Sequence, residues 1–383
     1  MWLLGAAVVA VVILLPLSGR AVATQTSSDS LWANAARSLG GSQEPFDLRV
    51  FVQAGDDVLH GRNPYVAPGT IHGPADAPYA YPPLLALLVT PLALLPEHVH
   101  HGYVPGVLFS LVLVAAVVGA LLLLDVHDWR CYPVALLYPV TIETVEYGAI
   151  GPLLLVLVAL LWRYRDRAWI AGWATGGAIV LKLFLWPLLA WLAVTRRIRA
   201  AALALLLAAA LAFLSWAVIA FRGIGDYPHL LRRLVDVEGE NSYSVFAVLQ
   251  MLGLPEAASR GITLVLGLAL LALAWRAVGR DGATFEADRR SFTLTVAAAL
   301  VLTPILWLHY LVLLLAPIAL ARPRLSGLWF VPLTMTLFEA LNWYRGWPRG
   351  DAKALLSVAA VVTVVFIVAL WRPRTATRLA ACR

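Results

Sequence analysis

The chain has 383 residues, of which 61% are apolar and 13% charged, against about 25% charged in an average soluble domain. That excludes a soluble globular protein, and at about 20 residues per membrane-crossing helix the apolar content caps the count near ~12 spans. The formal charge of +7 arises from 29 cations against 22 acids; the cations sit in short runs between apolar stretches, so they report membrane topology rather than a nucleic-acid partner.

Residues 3–17 form an apolar run that is expected to be the first span. The alternative is a signal peptide cleaved near Ala21-Val22-Ala23, but the basic start such a peptide carries is missing. Residues 18–82 are the longest polar stretch, rich in acids, and are expected to be the first outer loop. Within it, residues 46–59 have the spacing of an amphipathic helix: Leu48, Phe51, Val52, Gly55, Val58 and Leu59 share one face, while Asp47, Arg49, Gln53, Asp56 and Asp57 lie off it. Such a helix is expected to lie on the membrane surface and to end at Gly61-Arg-Asn-Pro64.

Beyond Tyr81-Pro-Pro83, prolines at 83, 91, 96 and 105 cut the apolar runs short, and ten to twelve spans are expected overall in one integral membrane domain covering residues 1–383. Arginine runs at 163–167, 196–199, 276–290, 322–324 and in the tail are assigned to the cytoplasm, and a second acidic loop at 222–242 to the outside. The segment with Arg345, Arg349 and Lys353 goes against this pattern, since parity puts it outside. Residues 168–195 lie between two arginine runs and so cannot be a single crossing; they are read as two shorter helices meeting near Lys182, with Pro187 supplying the break.

The ionisable residues inside apolar runs are the first candidates for chemistry. Lys182 is one of two lysines in the chain, and His309 stands in a Pro-broken junction, Thr303-Pro-Ile-Leu-Trp-Leu-His-Tyr310. Their alternatives are a lysine snorkelling to the interface and a packed histidine. Glu143 and Glu146 flank another junction. Asp236-Val-Glu238 has the look of an acidic metal motif and His98, His100 and His101 that of a histidine cluster, but solvated loops produce both patterns, and no metal site is expected. Trp186, Trp307, Tyr310, Trp343, Tyr344 and Trp347 gather at span ends, as an aromatic belt does, where some could stack on a sugar. Asp47 falls in the first turn of the predicted surface helix, where the helix dipole favours the carboxylate, so it is expected to stay ionised at neutral pH. It can then serve as a general base; a capping role is the alternative.

Several of these stretches together resemble one family. Phe46-Asp-Leu-Arg-Val-Phe51, Gly61-Arg-Asn-Pro-Tyr65, Tyr79-Ala-Tyr-Pro-Pro-Leu84 and Pro91-Leu-Ala-Leu-Leu-Pro96 are similar to the opening of the polyprenyl-phosphate-mannose-dependent α-mannosyltransferases of glycosyltransferase family 87. The likeness continues through Ala171-Gly172 to Lys182 and Pro187, Asn241-Ser242, and Thr303-Pro304 to His309-Tyr310. Where members show G-Q-x-N-P, this chain has Gly148-Ala-Ile-Gly-Pro152 and lacks both polar residues.

The resemblance implies an all-α polytopic membrane protein with a GT-C-type glycosyltransferase fold. It implies transfer of mannose from polyprenyl-phosphate-mannose to a glycolipid or lipid-linked glycan acceptor at the outer face of the plasma membrane, with inversion to an α-linkage and with neither metal nor cofactor. Asp47 would be the catalytic base, Lys182 and His309 would bind the donor phosphate, and Tyr65, Tyr81, Glu146, Asn241, Trp307 and Tyr310 are candidate substrate contacts. Another polyprenyl-phosphate sugar such as arabinose or glucose would use the same chemistry. A lipid-sugar flippase is the competing class, though no internal repeat supports it, and a non-catalytic scaffold is disfavoured by the intramembrane ionisable residues.

Overall fold

The computed structural model describes residues 45–72, 78–95, 103–239, 242–281 and 284–333. The expected first span, the His98 to His101 cluster, Asn241 and everything from residue 334 onward lie outside them. All regular structure among the described residues is helical: α1 (Phe46–Leu59), α2 (Pro83–Ala93), α3 (Tyr103–Leu123), α4 (Cys131–Leu136), α5 (Pro139–Tyr147), α6 (Gly151–Arg163), α7 (Ala168–Leu181), α8 (Pro187–Val194), α9 (Ile198–Val218), α10 (Tyr227–Glu238), α11 (Val245–Met251), α12 (Glu256–Asp281), α13 (Phe285–Leu302) and α14 (Leu315–Ala321), with short 3₁₀ turns between. Three helices are long and apolar enough to cross a membrane, within α3, α9 and α12. Further apolar helices are the bent pair α5 and α6, meeting at 119°, four shorter ones of 10–17 residues, and the buried α13. The chain is a polytopic helical membrane protein.

Helix α1 matches its predicted limits, and its apolar face is buried: Leu48, Phe51, Val52, Ala54 and Gly55 pack inward, mainly against α2. Each large side chain so taken out of water contributes about 1.5–3 kcal/mol, and the packing on α2 shows that protein rather than lipid covers this face. Val58 is only partly buried and Leu59 is exposed. The helix stops where the sequence places the stop: Gly61, at φ 65°, closes the turn through its N–H to Val58, and Arg62 N–H reaches Asp57.

Three helical hairpins carry the design. The α5/α6 pair breaks at residues 148–150, α7/α8 at 182–186, and α13/α14 at 303–307. Helix α7 spans about 21 Å and so ends well short of the far side of a ~30 Å hydrocarbon core. Its break falls within the Lys182 to Pro187 stretch, where the sequence places it. The chain leaves the helix at Lys182 (φ −152°, ψ 105°), while Pro187 starts α8 at a position where a missing N–H costs nothing. Broken backbone at membrane depth is tolerated where it is buried in protein or faces a cavity; the 182–186 and 303–307 breaks line a cavity, and residues 148–150 are buried.

The open ends of the hairpins meet on one arginine-rich face. Asp288 accepts from Arg165 (3.1 Å) and Arg197 (2.6 Å), and Arg197 also reaches Asp166 (2.8 Å). Arg163 pairs with Asp125, and the Asp128 carboxylate accepts the Leu325 N–H at 3.0 Å. The opposite face joins the two acidic loops: Arg233 donates to the Ile71 carbonyl (2.9 Å), Arg222 to that of Gly61, and the Tyr227 hydroxyl to that of Ala80 (3.1 Å). The loops assigned to opposite compartments by charge thus lie on opposite faces. With Cys131 and Cys382 removed, cysteines at Gly225 and Arg167, both exposed, are expected to react with impermeant maleimide from outside and inside the cell respectively. Reaction of both from one side would overturn this topology.

Candidate active site

The first turn of α1, the end of α5 and the breaks after α7 and α13 line a partly open cavity of about 780 Å³. Its lining includes Asp47, Tyr81, Glu143, Tyr147, Lys182, Trp186, Glu238, Tyr243, Thr303, Trp307, His309 and Tyr310. Residues more than 260 positions apart in the chain therefore face one space.

Local chemistry explains each placement. Pro45 precedes α1 and Asp47 follows in its first turn without capping the helix, so its carboxylate is directed into the cavity rather than onto its own backbone. Gly148, at φ 67°, ends α5 directly against α1; a Cβ there would meet those of Leu48 at 2.9 Å and Pro45 at 3.0 Å. Only glycine allows that approach, which fixes Asp47 against the α5 break. The Phe46 and Tyr147 rings, 6.3 Å apart edge to face, add to the same contact.

His309 is seated by the backbone on both sides. Its carbonyl accepts the Thr144 hydroxyl at 3.2 Å. The preceding strand-like stretch is tied to 242–244: Tyr243 N–H donates to Leu306 (2.7 Å), Leu306 N–H to the Ser242 hydroxyl (2.9 Å), and the Ser244 hydroxyl to Pro304 (2.8 Å). Ser242, from the Asn241-Ser242 stretch, thus shapes the segment that leads to His309. The His309 ring is buried, and its Nε2 has no hydrogen-bond partner among the described residues. It lies 4.0 Å from the Asp47 carboxylate, too long for a direct bond.

Lys182 enters from the second break, with its Nζ 3.7 Å from the Tyr81 ring centroid and 4.7 Å from that of Tyr310. A carboxylate, a neutral-capable imidazole and an ammonium thus share one space. Asp47 belongs to α1, outside the membrane-crossing helices, and is 18% exposed. Burial pushes its pKa up to about 7, with the Lys182 charge opposing that rise. The sequence reading expected it to stay ionised at neutral pH through the helix dipole, but desolvation is the larger effect here.

The other sequence candidates divide. Tyr81, Trp307 and Tyr310 line the cavity as expected. Tyr65 does not: its hydroxyl donates to the Tyr81 carbonyl (2.9 Å) and its ring stacks on Trp216 at 5.2 Å, so it supports the wall from behind. Glu146 is also outside the lining, and Glu143, three residues earlier on α5, takes that place. Asp236 is exposed while Glu238 is buried against the cavity, so the acidic pair does not act together. Among the described residues no three His, Cys, Asp or Glu side chains converge as a metal-binding group. Glu143 and Glu238, both weighed from sequence, are in the lining, and Tyr147 and Tyr243 are lining residues that sequence reasoning did not select. The i, i+4 spacing of Glu143 and Tyr147 was the available signal.

Compared with protein families, residues 79–304 match glycosyltransferase family 87. No curated protein and no solved structure is found to match the chain.

Proposed function

Because the chain belongs to glycosyltransferase family 87, we propose that this membrane glycosyltransferase moves a mannosyl residue from polyprenyl-phosphate-mannose to a glycolipid or lipid-linked glycan acceptor. The observation that carries the proposal is the convergence of Asp47, Lys182 and His309 on one cavity. In this reading the acceptor hydroxyl attacks the anomeric carbon once, Asp47 takes its proton, and the carbon–oxygen bond to the phosphate breaks with its electron pair going to the phosphate. A β-linked donor then gives an α-linked product, with no enzyme nucleophile. Lys182 stabilises the charge that develops on the departing phosphate, where preorganised electrostatics contribute most. His309 donates a ring N–H to the same phosphate. The chemistry would run at the outer face of the plasma membrane, without metal or cofactor.

The test is transfer of radiolabelled mannose from polyprenyl-phosphate-mannose by purified protein in lipid nanodiscs. A labelled, α-linked glycolipid supports the reading. Donor binding or movement across a vesicle membrane without any transfer would replace it with a flippase. A pH profile adds a second check: with the Asp47 carboxyl near 7, the base form gains with rising pH. Turnover is expected to climb about tenfold per unit below pH 7 and to level off above it. A rate that falls from pH 6 to 8 would contradict the assigned direction of proton transfer.

A further inference from the structure

The surroundings of Lys182 show how its charge is held. Tyr81 and Tyr310 are buried, and their ring faces lie against the ammonium at 3.7 and 4.7 Å. Their hydroxyls hydrogen-bond to each other at 2.5 Å. Each ring is backed in turn. Phe51 meets Tyr81 edge to face at 5.0 Å, Tyr65 donates to the Tyr81 backbone, and Phe184 meets Tyr310 at 5.4 Å. Faces occupied by a lysine are not open for stacking on a sugar, which departs from the substrate-contact role expected of these two tyrosines.

We propose that Tyr81 and Tyr310 are positioning residues that clamp the Lys182 ammonium between their ring faces and aim it into the cavity. A carboxylate partner would hold the lysine as firmly, but it would cancel the charge and occupy its N–H donors. The ring quadrupole attracts the cation and does neither. An ammonium meant to receive a phosphate as it leaves has to be fixed in place and still charged. This purpose rests on the donor-phosphate role given to Lys182 above; the clamp itself rests on geometry.

The chain's two lysines make the clamp directly observable. In a Lys353→Arg background, lysine labelled with carbon-13 at Cε reports Lys182 alone, and the ring currents of two flanking tyrosines should shift its ε-methylene protons well upfield. Tyr81→Phe and Tyr310→Phe keep the faces and should keep the shift. Tyr81→Leu and Tyr310→Leu should each reduce it, and the double Leu variant should return it to the free-lysine position. In a transfer assay the Leu variants should raise the donor KM by about 30-fold, the value of one desolvated cation–π contact, and each should exceed its Phe counterpart by most of that factor. An unshifted parent signal, or an upfield signal that survives both Leu substitutions in folded protein, would overturn the clamp. So would Phe and Leu variants with equally raised KM. The shift is read without substrate, so an absence of sugar transfer bears on the proposed function alone.

Discussion

Asp47→Asn is expected to lower turnover at least about 10²-fold while leaving the fold and donor binding in place. The substitution keeps the side-chain shape but removes the lone pair that accepts the acceptor's proton, and general-base catalysis is worth about 10² to 10⁴-fold. Folding should not suffer. The carboxyl does not cap α1 and makes no direct hydrogen bond to His309, and burial already opposes its charged form. Asp57→Asn is the control on the same helix: Asp57 pairs with Arg62 at 2.8 Å on an exposed surface, where such pairs contribute little, so that variant should retain most activity. Measured kcat for the two variants, with circular dichroism to confirm folding, decides the matter. Near-normal turnover in Asp47→Asn with loss in Glu143→Gln would move the base to α5.

Lys182→Ala is expected to reduce kcat about 10²-fold and to weaken donor binding as well. The interaction strengthens as negative charge accumulates on the leaving phosphate, so more is lost from the transition state than from the bound donor, and removal of one such donor typically costs 10² to 10³-fold, roughly. The position of the ammonium against the Tyr81 and Tyr310 rings sharpens the effect, because charges interact more strongly away from bulk water. His309→Ala should act in the same direction, less strongly if the ring works as a neutral donor. Unchanged donor affinity and rate in both variants would remove the phosphate site from these residues.

Sequence made α1, the Gly61 stop, the re-entrant pair around Lys182 and the sorting of loops between two faces legible, because each rests on a local pattern: helical periodicity, a stop signal, or charge. The identity of Asp47, Lys182 and His309 as candidates was also legible, since ionisable groups in apolar runs and in a first helical turn stand out on their own. What was not legible depends on how helices face one another. Glu143 and Glu146 are equivalent in sequence, and only the rotation of α5, fixed by Gly148 against Leu48 and Pro45, turns the first of them toward the cavity. The same holds for Glu238 against Asp236 on α10. Tyr65 and Tyr81 look alike as motif tyrosines, yet one backs the wall that the other forms. The shifted pKa of Asp47 was unreadable for the same reason, because burial is a property of the assembled site. The break after α7 fell within the marked Lys182 to Pro187 stretch, and only the role of Pro187 was open, since proline as readily begins a helix, as it does α8, as ends one.

The proposed roles, Lys182 and His309 on the phosphate of a lipid-linked sugar and Asp47 at its anomeric carbon, are tested most directly by a structure of the Asp47→Asn protein with polyprenyl-phosphate-mannose trapped in the cavity. The phosphate is expected in contact with the Lys182 ammonium and the His309 ring, the sugar between it and residue 47, and the lipid tail leaving toward the membrane. A phosphate bound elsewhere, with Lys182 still pointing into an unfilled cavity, would contradict them.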